Sequence, residues 1–131
     1  MPDAQRRQRG QEIRRGAFGE DGEERWRMLN SLDSGHAESI LEYCFGTVWA
    51  RPGMELKWRH LIVIAAAAAQ DLSGEVAIHT RGALNRGATR EEIIETIVQC
   101  SPYIGFPKTN HALEAANSVI STWNEHPEWH A

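Results

Sequence analysis

The sequence predicts an all-α fold, a single-domain bundle of six to seven helices. No stretch alternates apolar and polar side chains in the way that a half-buried β-strand does. Apolar residues instead recur at intervals of three and four, which places them on one face of a helix. The connections between these segments are short, and none is long enough to link a second domain. We therefore expect one domain over residues 1–131, with a buried core.

Three helices are predicted in the first part of the chain. The first is polar and rich in arginine, so its basic side chains are expected on a solvated face. Asp33 or Ser34 can cap the third helix, and Pro52 with Gly53 ends it. The three helices are predicted at residues 3–18, 23–32 and 35–49, with a turn at residues 19–22.

Further helices are predicted after residue 54. An aliphatic run predicts a helix that is buried on all sides. Thr89 and Glu92 have the spacing of a capping box, which opens a later helix with Val98 facing inward. A break with two prolines and one glycine follows, and the polar tail is expected to fray, although Trp129 can dock. The helices are predicted at residues 55–70, from the capping box at 89–92 to residue 101, and at 108–123. The break is predicted at 102–107 and the tail at 124–131.

One helix, which starts near residue 73, combines ionisable side chains in a pattern that suggests chemistry. Ser73 can cap it, and Glu75 lies in its first turn. Glu75 and His79 are four residues apart, so they share a face and can touch. Glu75 could raise the basicity of His79 for proton transfer, whereas a surface ion pair of little energetic value is the alternative. Gly82 and Arg86 continue this face, and the glycine leaves room for a ligand or another helix.

Composition and charge argue against several classes of protein. A net charge of −4 argues against a nucleic-acid binder. The longest apolar run is shorter than the roughly 20 residues that span a bilayer, and the polar N-terminus does not resemble a signal peptide. Cys44 and Cys100 have no CxxC spacing, so we expect buried, reduced thiols in a cytoplasmic protein. The histidines have no metal-ligand spacing, so no metal site is expected.

Three blocks of the sequence resemble the carboxymuconolactone decarboxylase family. They occur in one order, and the resemblance covers about residues 5–122, which leaves residues 124–131 as a tail. Together the blocks are specific to the family. They are FGTVWARPG at residues 45–53, EVAIHTRGALNRG at residues 75–87 and CSPYIGFP at residues 100–107.

The resemblance implies an all-helical fold of the alkylhydroperoxidase type. It implies a homo-oligomer, either a hexamer built as a trimer of dimers or a smaller assembly, with no nucleic-acid or membrane partner. The implied activity is a cofactor-free decarboxylation of 4-carboxymuconolactone to 3-oxoadipate enol-lactone in protocatechuate catabolism, the β-ketoadipate pathway. Peroxide-defence members of the superfamily use a CxxC near a histidine. If His79 matches that histidine, the cysteine positions fall on Leu72 and Glu75, which excludes a disulfide relay here.

The substrate of that family explains why no cofactor is expected. Loss of carbon dioxide leaves electrons that run through the double bond to the lactone carbonyl, so the substrate is its own electron sink. The protein must hold the carboxylates, stabilise the oxyanion and deliver one proton to carbon. His79 is the candidate for proton transfer, and Glu75 is the candidate to set its tautomer.

Six further residues are candidates to bind this small anionic lactone. Arginines suit the spectator carboxylate, because an arginine at the departing carboxylate would stabilise the ground state. Apolar surface suits the departing group, and a phenol or an amide can donate to the lactone oxygen. Three alternatives stay open. Arg59 can be a structural partner of Glu75 or of helix-end carbonyls, Arg81 points away from the Glu75–His79 face, and Tyr103 can be a core residue. The candidates are Arg51, Trp49, Arg59, Arg81, Tyr103 and Asn110.

Several positions depart from the usual pattern of the family and leave the substrate open. Trp58, Arg59 and His60 replace a Thr-Arg-Ser type of sequence, and Lys108 and His111 stand where small residues are usual. Lys108 could add a positive charge at the pocket mouth or cap an interface. The same scaffold could carry out another lactone reaction, such as hydration, isomerisation or cyclisation. It could also be a non-catalytic binding or assembly module.

Overall fold

The computed structural model describes residues 2–131, and within them every regular element is helical, which confirms the all-α prediction. The chain forms two compact units: the part up to Glu55 together with Glu128–Ala131, and Leu56–Pro127. The prediction of a single domain stays a prediction. The helices are α1 (Pro2–Leu32), α2 (Ser34–Ser39), a π-helix (Ile40–Trp49), α3 (Leu56–Ala69), α4 (Ser73–Asn85), α5 (Arg90–Ile104) and α6 (Phe106–Ile120), followed by 3₁₀ turns at Trp123–Glu125 and Pro127–Trp129.

In the first unit, the predicted turn at residues 19–22 is a kink at a single residue inside α1. Gly19 has φ 65° and ψ −162°, a conformation that is essentially restricted to glycine. A Cβ atom there would lie 2.6 Å from the carbonyl oxygen of Glu128 and 2.7 Å from that of His130. Residues 128–130 of the tail, which belong to the same unit, therefore pack against the kink. Trp129 is only 9% exposed, so its predicted docking is confirmed and the predicted fraying of the tail is wrong.

Arg14 joins the two halves of α1 across this kink. Its guanidinium lies 3.0 Å from the carboxylate of Glu23 and 5.3 Å from the ring centroid of Trp26. The side chain is buried, so the expectation that the basic residues of this helix are solvated is wrong for Arg14. The helix bends back on itself enough for a charge on one half to meet a carboxylate on the other, and this contact is not visible in the pattern of α1 alone.

The helix predicted at residues 35–49 is in fact two kinds of helix. Asp33 caps α2 by accepting a hydrogen bond from the backbone N–H of His36 at 2.9 Å, as predicted. From Ile40 the chain continues as a wider π-helix, in which the Thr47 hydroxyl donates to the carbonyl of Glu42, five residues earlier. Apolar spacing of three and four cannot distinguish this register from an α-helix, so the sequence did not predict it.

Helix α1 crosses the π-helix where each helix has a glycine, and the two helices are closest there. A Cβ atom on Gly10 would collide with the carbonyl of Leu41, and one on Gly46 would collide with the carbonyl of Arg6. The two backbones are therefore in direct contact, which no larger residue would allow. Leu41, Phe45 and the neighbouring side chains fill the space around this crossing.

The second unit is built around α3, which packs against α4, α5 and α6. Its core joins the apolar faces of these four helices. Ile62, on the outward face of α3, is 52% exposed and Trp58 is also exposed, so the prediction of burial on all sides is wrong within this chain. The cause is geometric, because the three neighbouring helices cover only one side of α3. The core residues include Leu61, Ile64, Ala68, Val76, Ala83, Ile93, Ile97, Ala112 and Ala116.

The helix ends in this unit follow local chemistry closely, with two exceptions, at the start of α4 and at the break between α5 and α6. The capping box of Thr89 and Glu92 is confirmed in both of its hydrogen bonds. Leu72, instead of Ser73, occupies the cap position of α4. Helix α5 runs on through Pro102, so the predicted break at residues 102–107 shrinks to Gly105. Val98 is exposed, contrary to prediction, because only one face of α5 is covered.

Two further expectations concern the cysteines and the membrane. Cys44 and Cys100 form no disulfide, but both are half-buried and not fully buried as expected. Within residues 2–131, none of the helices combines the length and the apolar character needed to cross a membrane.

Substitution of Gly19 by alanine tests the kink. We expect Gly19→Ala to lower the free energy of unfolding by roughly 1–3 kcal/mol, because alanine is strained at this φ and ψ and its Cβ meets the tail. Gly53→Ala is the matched control in the same unit, since no atom lies within 4 Å of its Cβ. Urea unfolding of both variants gives the comparison, and equal stability of Gly19→Ala and wild type would contradict the role of the kink.

Candidate functional site

The face of α4 that carries Glu75 and His79 forms the candidate site. Glu75 lies in the first turn with its side chain 48% exposed, whereas the His79 side chain is only 10% exposed. The Oε2 atom of Glu75 lies 3.8 Å from Nε2 of His79. This distance is an ion-pair distance when His79 is protonated and is longer than a hydrogen bond. Glu75 therefore stands between the solvent and the outer nitrogen of a nearly buried imidazole.

A second histidine, which the sequence did not associate with this site, meets the inner nitrogen of His79. The Nδ1 atoms of His60 on α3 and His79 on α4 are 3.1 Å apart. The ring centroids are 5.3 Å apart with an angle of 42° between the planes. His60 is fully buried. A contact of this length between two imidazole nitrogens requires one of them to donate a proton and the other to accept it.

Gly82 makes room for the ring of His60. A Cβ atom at this position would collide with Cε1 of His60 and would lie 2.6 Å from its Nδ1. The glycine one turn after His79 was predicted to allow the approach of a ligand or another helix. In the structure it is the side chain of another helix, α3, that fills the space.

Burial and two neighbouring charges, one of them that of Arg86 on the same helix face, set the electrostatics of the pair. Burial lowers the pKa of His60 to about 2, and the positive charges of His79 and Arg86 push this pKa in the same direction. Burial also lowers the pKa of Arg86 from its usual value. His60 is therefore neutral across the physiological pH range. Of the two histidines, His60 is therefore the one that resists a positive charge.

The other predicted residues of the second unit surround this pair in sequence. Arg59 precedes His60 on α3, and Arg81 follows His79 on α4; both are half-buried. Tyr103, near the end of α5, is 83% exposed, and Asn110 on α6 is exposed as well. The substrate-binding roles predicted for these four residues stay predictions.

The two remaining candidates belong to the first unit. Trp49 is buried at the end of the π-helix, with its ring centroid 5.5 Å from that of Phe45. Arg51 is exposed in the following turn, where its backbone N–H donates to the carbonyl of Val48. Trp49 therefore has a packing role within its own unit, and the substrate-binding roles of both residues stay predictions.

Lys108 and His111 tie α6 to the connection between α3 and α4. The Lys108 ammonium donates to the carbonyl of Ala69, the last residue of α3, at 3.2 Å. Nδ1 of His111 lies 2.8 Å from a carboxylate oxygen of Asp71, which has a φ of 56°. The hydrogen bond and the charge of Asp71 raise the pKa of His111. These contacts hold the turn that leads into α4, so they act on the site through its backbone.

Sequence reasoning missed His60 and gave Arg86 no role. The spacing of residues 75, 79, 82 and 86 along the helix placed Arg86 on the same face as His79. The glycine at position 82 indicated that another group approaches there. No pattern within α3 could show that residue 60 would be that group. Among residues 2–131, no cluster of three or more His, Cys, Asp and Glu side chains is placed to hold a metal ion.

Comparison with known proteins gives one family and three relatives. The model of the carboxymuconolactone decarboxylase family matches residues 35–118. A 4-carboxymuconolactone decarboxylase of Acinetobacter baylyi is 34% identical over 129 residues, which is 98% of this chain and 96% of that protein. The nitrosuccinic acid decarboxylase npaB of Metarhizium robertsii is 37% identical over 84 residues, 64% of this chain and 59% of that protein. An uncharacterized 15.0 kDa protein of Paracoccus denitrificans is 40% identical over 88 residues, 66% of each chain.

Substitution of Gly82 by alanine tests the packing of the histidine pair. Alanine favours a helix by roughly 0.5–1 kcal/mol, but overpacking against a buried ring costs about 1–3 kcal/mol. We expect Gly82→Ala to be destabilising in the wild type and stabilising when His60→Ala has removed the ring. Gly74→Ala, in open space on the same helix, is the control and should be stabilising in both backgrounds. Urea unfolding of the double-mutant cycle measures this, and additive effects would contradict the contact.

The pH dependence of stability tests the buried neutral His60. Its pKa is about 2 in the folded chain and ordinarily 6.5, so the unfolded chain binds the proton first as the pH falls. The stability present above pH 6.5 should therefore decline below it, by up to about 1.4 kcal/mol per pH unit. His111 has the opposite effect on the pH dependence of stability: its pKa is raised in the folded chain, so its protonation favours folding as the pH falls. We expect the stability of wild type relative to His60→Leu to fall between about pH 7 and about pH 5 in urea unfolding; a constant difference would contradict burial of a neutral imidazole.

Proposed function

The chain belongs to the carboxymuconolactone decarboxylase family, and we propose that it is a carboxy-lyase that converts 4-carboxymuconolactone to 3-oxoadipate enol-lactone. The observation that carries this proposal is the 34% identity with a 4-carboxymuconolactone decarboxylase over almost the full length of both chains. The buried histidine pair on the matched segment supports it, since the reaction needs a positioned proton donor. Protocatechuate catabolism is the pathway that this substrate implies.

The chemistry of the substrate defines what the protein must supply. When carbon dioxide leaves, the electron pair of the broken bond passes through the double bond to the lactone carbonyl. The substrate therefore stores the electrons itself, and we propose that the reaction proceeds without a cofactor. The protein then accelerates the reaction by stabilising the developing oxyanion and by delivering a proton to carbon.

His79 is the proposed proton donor, through Nε2. This nitrogen faces Glu75, whereas Nδ1 is occupied by His60. The carboxylate of Glu75 favours the protonated form of His79, and its exposure lets it pass protons between solvent and the imidazole. Proton delivery from a positioned side chain contributes roughly 10²–10⁴ to a rate.

Arginines are proposed to hold the carboxylate that stays on the substrate. Arg51, Arg59 and Arg81 remain the candidates from the sequence. Arg86 joins them, because its charge acts on the histidine pair and burial removes part of the water around its guanidinium. A partly desolvated guanidinium binds a carboxylate more strongly than an exposed one does.

A second candidate substrate is nitrosuccinic acid, which is favoured by the 37% identity with the Metarhizium robertsii decarboxylase. A nitro group beside the departing carboxylate takes up the electron pair as a nitronate, so this reaction follows the same logic. Both candidates are small dianions that need one proton on carbon. The arrangement of Glu75 and His79 suits either, and side chains that contact the rest of the substrate decide between them.

We also propose that the chain works as a homo-oligomer. The outward face of α3 exposes Ile62 and Trp58, and an exposed apolar surface of this kind suits burial against another copy. Light scattering coupled to size exclusion measures the assembly. A monomer at working concentration would refute this part of the proposal.

Carbon dioxide release tests the proposed function. We expect wild type to release carbon dioxide from 4-carboxymuconolactone made in situ, and His79→Gln to lower kcat by roughly 10²-fold or more, because the proton donor is lost. Glu75→Gln should lower kcat by less. His36→Gln, an exposed histidine on α2, is the control and should match wild type.

The outcomes of this assay separate the claims. Release from nitrosuccinate alone would favour the second candidate substrate. Absence of release from both substrates by a folded wild type would contradict the decarboxylase proposal. Unchanged release by His79→Gln would keep the activity and refute the assigned role of His79.

A further inference from the structure

The buried contact between the two Nδ1 atoms restricts where protons can reside. At 3.1 Å, one nitrogen must carry a hydrogen and the other must offer a lone pair. Two hydrogens would clash, and two lone pairs would repel in a site with little water. The tautomer of each ring therefore depends on that of the other, and each orientation of the hydrogen bond leaves a different nitrogen of His79 available outside the pair.

The charges around the pair choose one orientation whenever His79 is protonated. The imidazolium has hydrogens on both nitrogens, so its Nδ1–H must donate to His60. His60 cannot share the charge, because it is fully buried and the cation of Arg86 acts against a second positive charge. His60 therefore keeps its hydrogen on Nε2 and offers Nδ1 as the acceptor. Glu75 lies 3.8 Å from the other nitrogen of His79, beyond hydrogen-bond distance, so its charge stabilises the imidazolium without fixing the hydrogen of the neutral ring.

We propose that His60 is a positioning residue for His79. By accepting the Nδ1–H of His79 throughout the reaction, it leaves Nε2, beside Glu75, as the one nitrogen that exchanges protons with the substrate. This inference rests on the proposed function, in which His79 is the proton donor.

The proton step balances under this arrangement. After carbon dioxide has left, the carbanion carries one negative charge and the His79 imidazolium carries one positive charge. The Nε2–H bond breaks, its electron pair stays on Nε2, and the proton forms a C–H bond with the substrate. His79 is then neutral with its hydrogen on Nδ1, still donated to His60. A proton from solvent, passed by the exposed Glu75, restores the imidazolium.

Gly82 is needed for the hydrogen bond between His60 and His79. Its missing side chain is the space that the His60 ring occupies, so any residue with a Cβ moves the acceptor away from His79. The hydrogen bond therefore depends on a buried position next to the pair. Gly82→Ala offers a second way to disturb the contact while both histidines are kept.

Nitrogen-15 NMR of histidine-labelled protein tests the tautomer directly. The His79 signals are assigned by their loss in His79→Gln, and the spectrum is read at a pH where titration shows His79 to be neutral. We expect neutral His79 in wild type to carry its hydrogen on Nδ1 and His60 to carry its hydrogen on Nε2. In His60→Leu and in Gly82→Ala, we expect the His79 hydrogen to move to Nε2. A wild-type His79 with a bare Nδ1 would overturn the proposal, and this result does not depend on a folded variant of His60 or Gly82.

Kinetics separates positioning from a structural role. We expect His60→Leu to lower kcat by roughly 10–10²-fold with KM unchanged, because His60 is buried away from the substrate and part of the gain from proton transfer is lost. His60→Asn should recover most of kcat, since its Oδ1 can accept in place of Nδ1. Ile64→Val, a matched loss of packing one turn further along α3, should leave kcat as in wild type.

The two proposals fail in different ways. A wild type that releases no carbon dioxide contradicts the proposed function, while its spectrum still decides the tautomer. A wild type that is active, together with a His60→Leu variant whose kcat and His79 tautomer are both unchanged, overturns the inference and leaves the function standing.

Discussion

The hydrogen bond between Nδ1 of His60 and Nδ1 of His79 is the interaction on which the rest of the site depends. It joins α3 to α4 inside the core, where an imidazole can reside only if it stays neutral or finds a partner. The contact exists because Gly82 has no side chain, and burial together with the charges of His79 and Arg86 keeps His60 neutral within it. Packing and proton chemistry are therefore coupled in this protein, since a change in either helix spacing or charge changes which nitrogen carries the hydrogen.

The remainder of the second unit holds the two helices at the spacing that this contact needs. Lys108 and His111 of α6 fasten the turn between α3 and α4 through a backbone carbonyl and through Asp71. At the start of α5, Glu92 serves both the capping box and an ion pair with Lys57 of α3 at 3.1 Å. Exposed ion pairs of this kind are individually weak. Their value here is geometric, because each one constrains the end of a helix that carries a histidine.

The proposed chemistry asks little of the protein beyond this arrangement. In both candidate substrates the departing electrons flow into a group of the substrate itself, a lactone carbonyl or a nitro group. The demands that remain are an anion site and one proton delivered to carbon, and both can be met by side chains on one helix face and its neighbour. This explains in physical terms how relatives with different named substrates can share one scaffold. We propose that contacts to the remainder of the substrate then set its identity.

Local sequence determined the features that depend on neighbours along the chain: helical periodicity, the Asp33 cap, the Thr89–Glu92 capping box and the shared face of Glu75 and His79. These follow from hydrogen bonds and side-chain spacings within one or two turns. Only the tertiary structure decided that His60, nineteen residues from His79, fills the space at Gly82. It also decided that the tail packs on Gly19 and that α3 is covered on one side only. Spacing along a chain specifies which side chains share a face, whereas the partner of that face is chosen by the packing of whole helices, which no local pattern encodes.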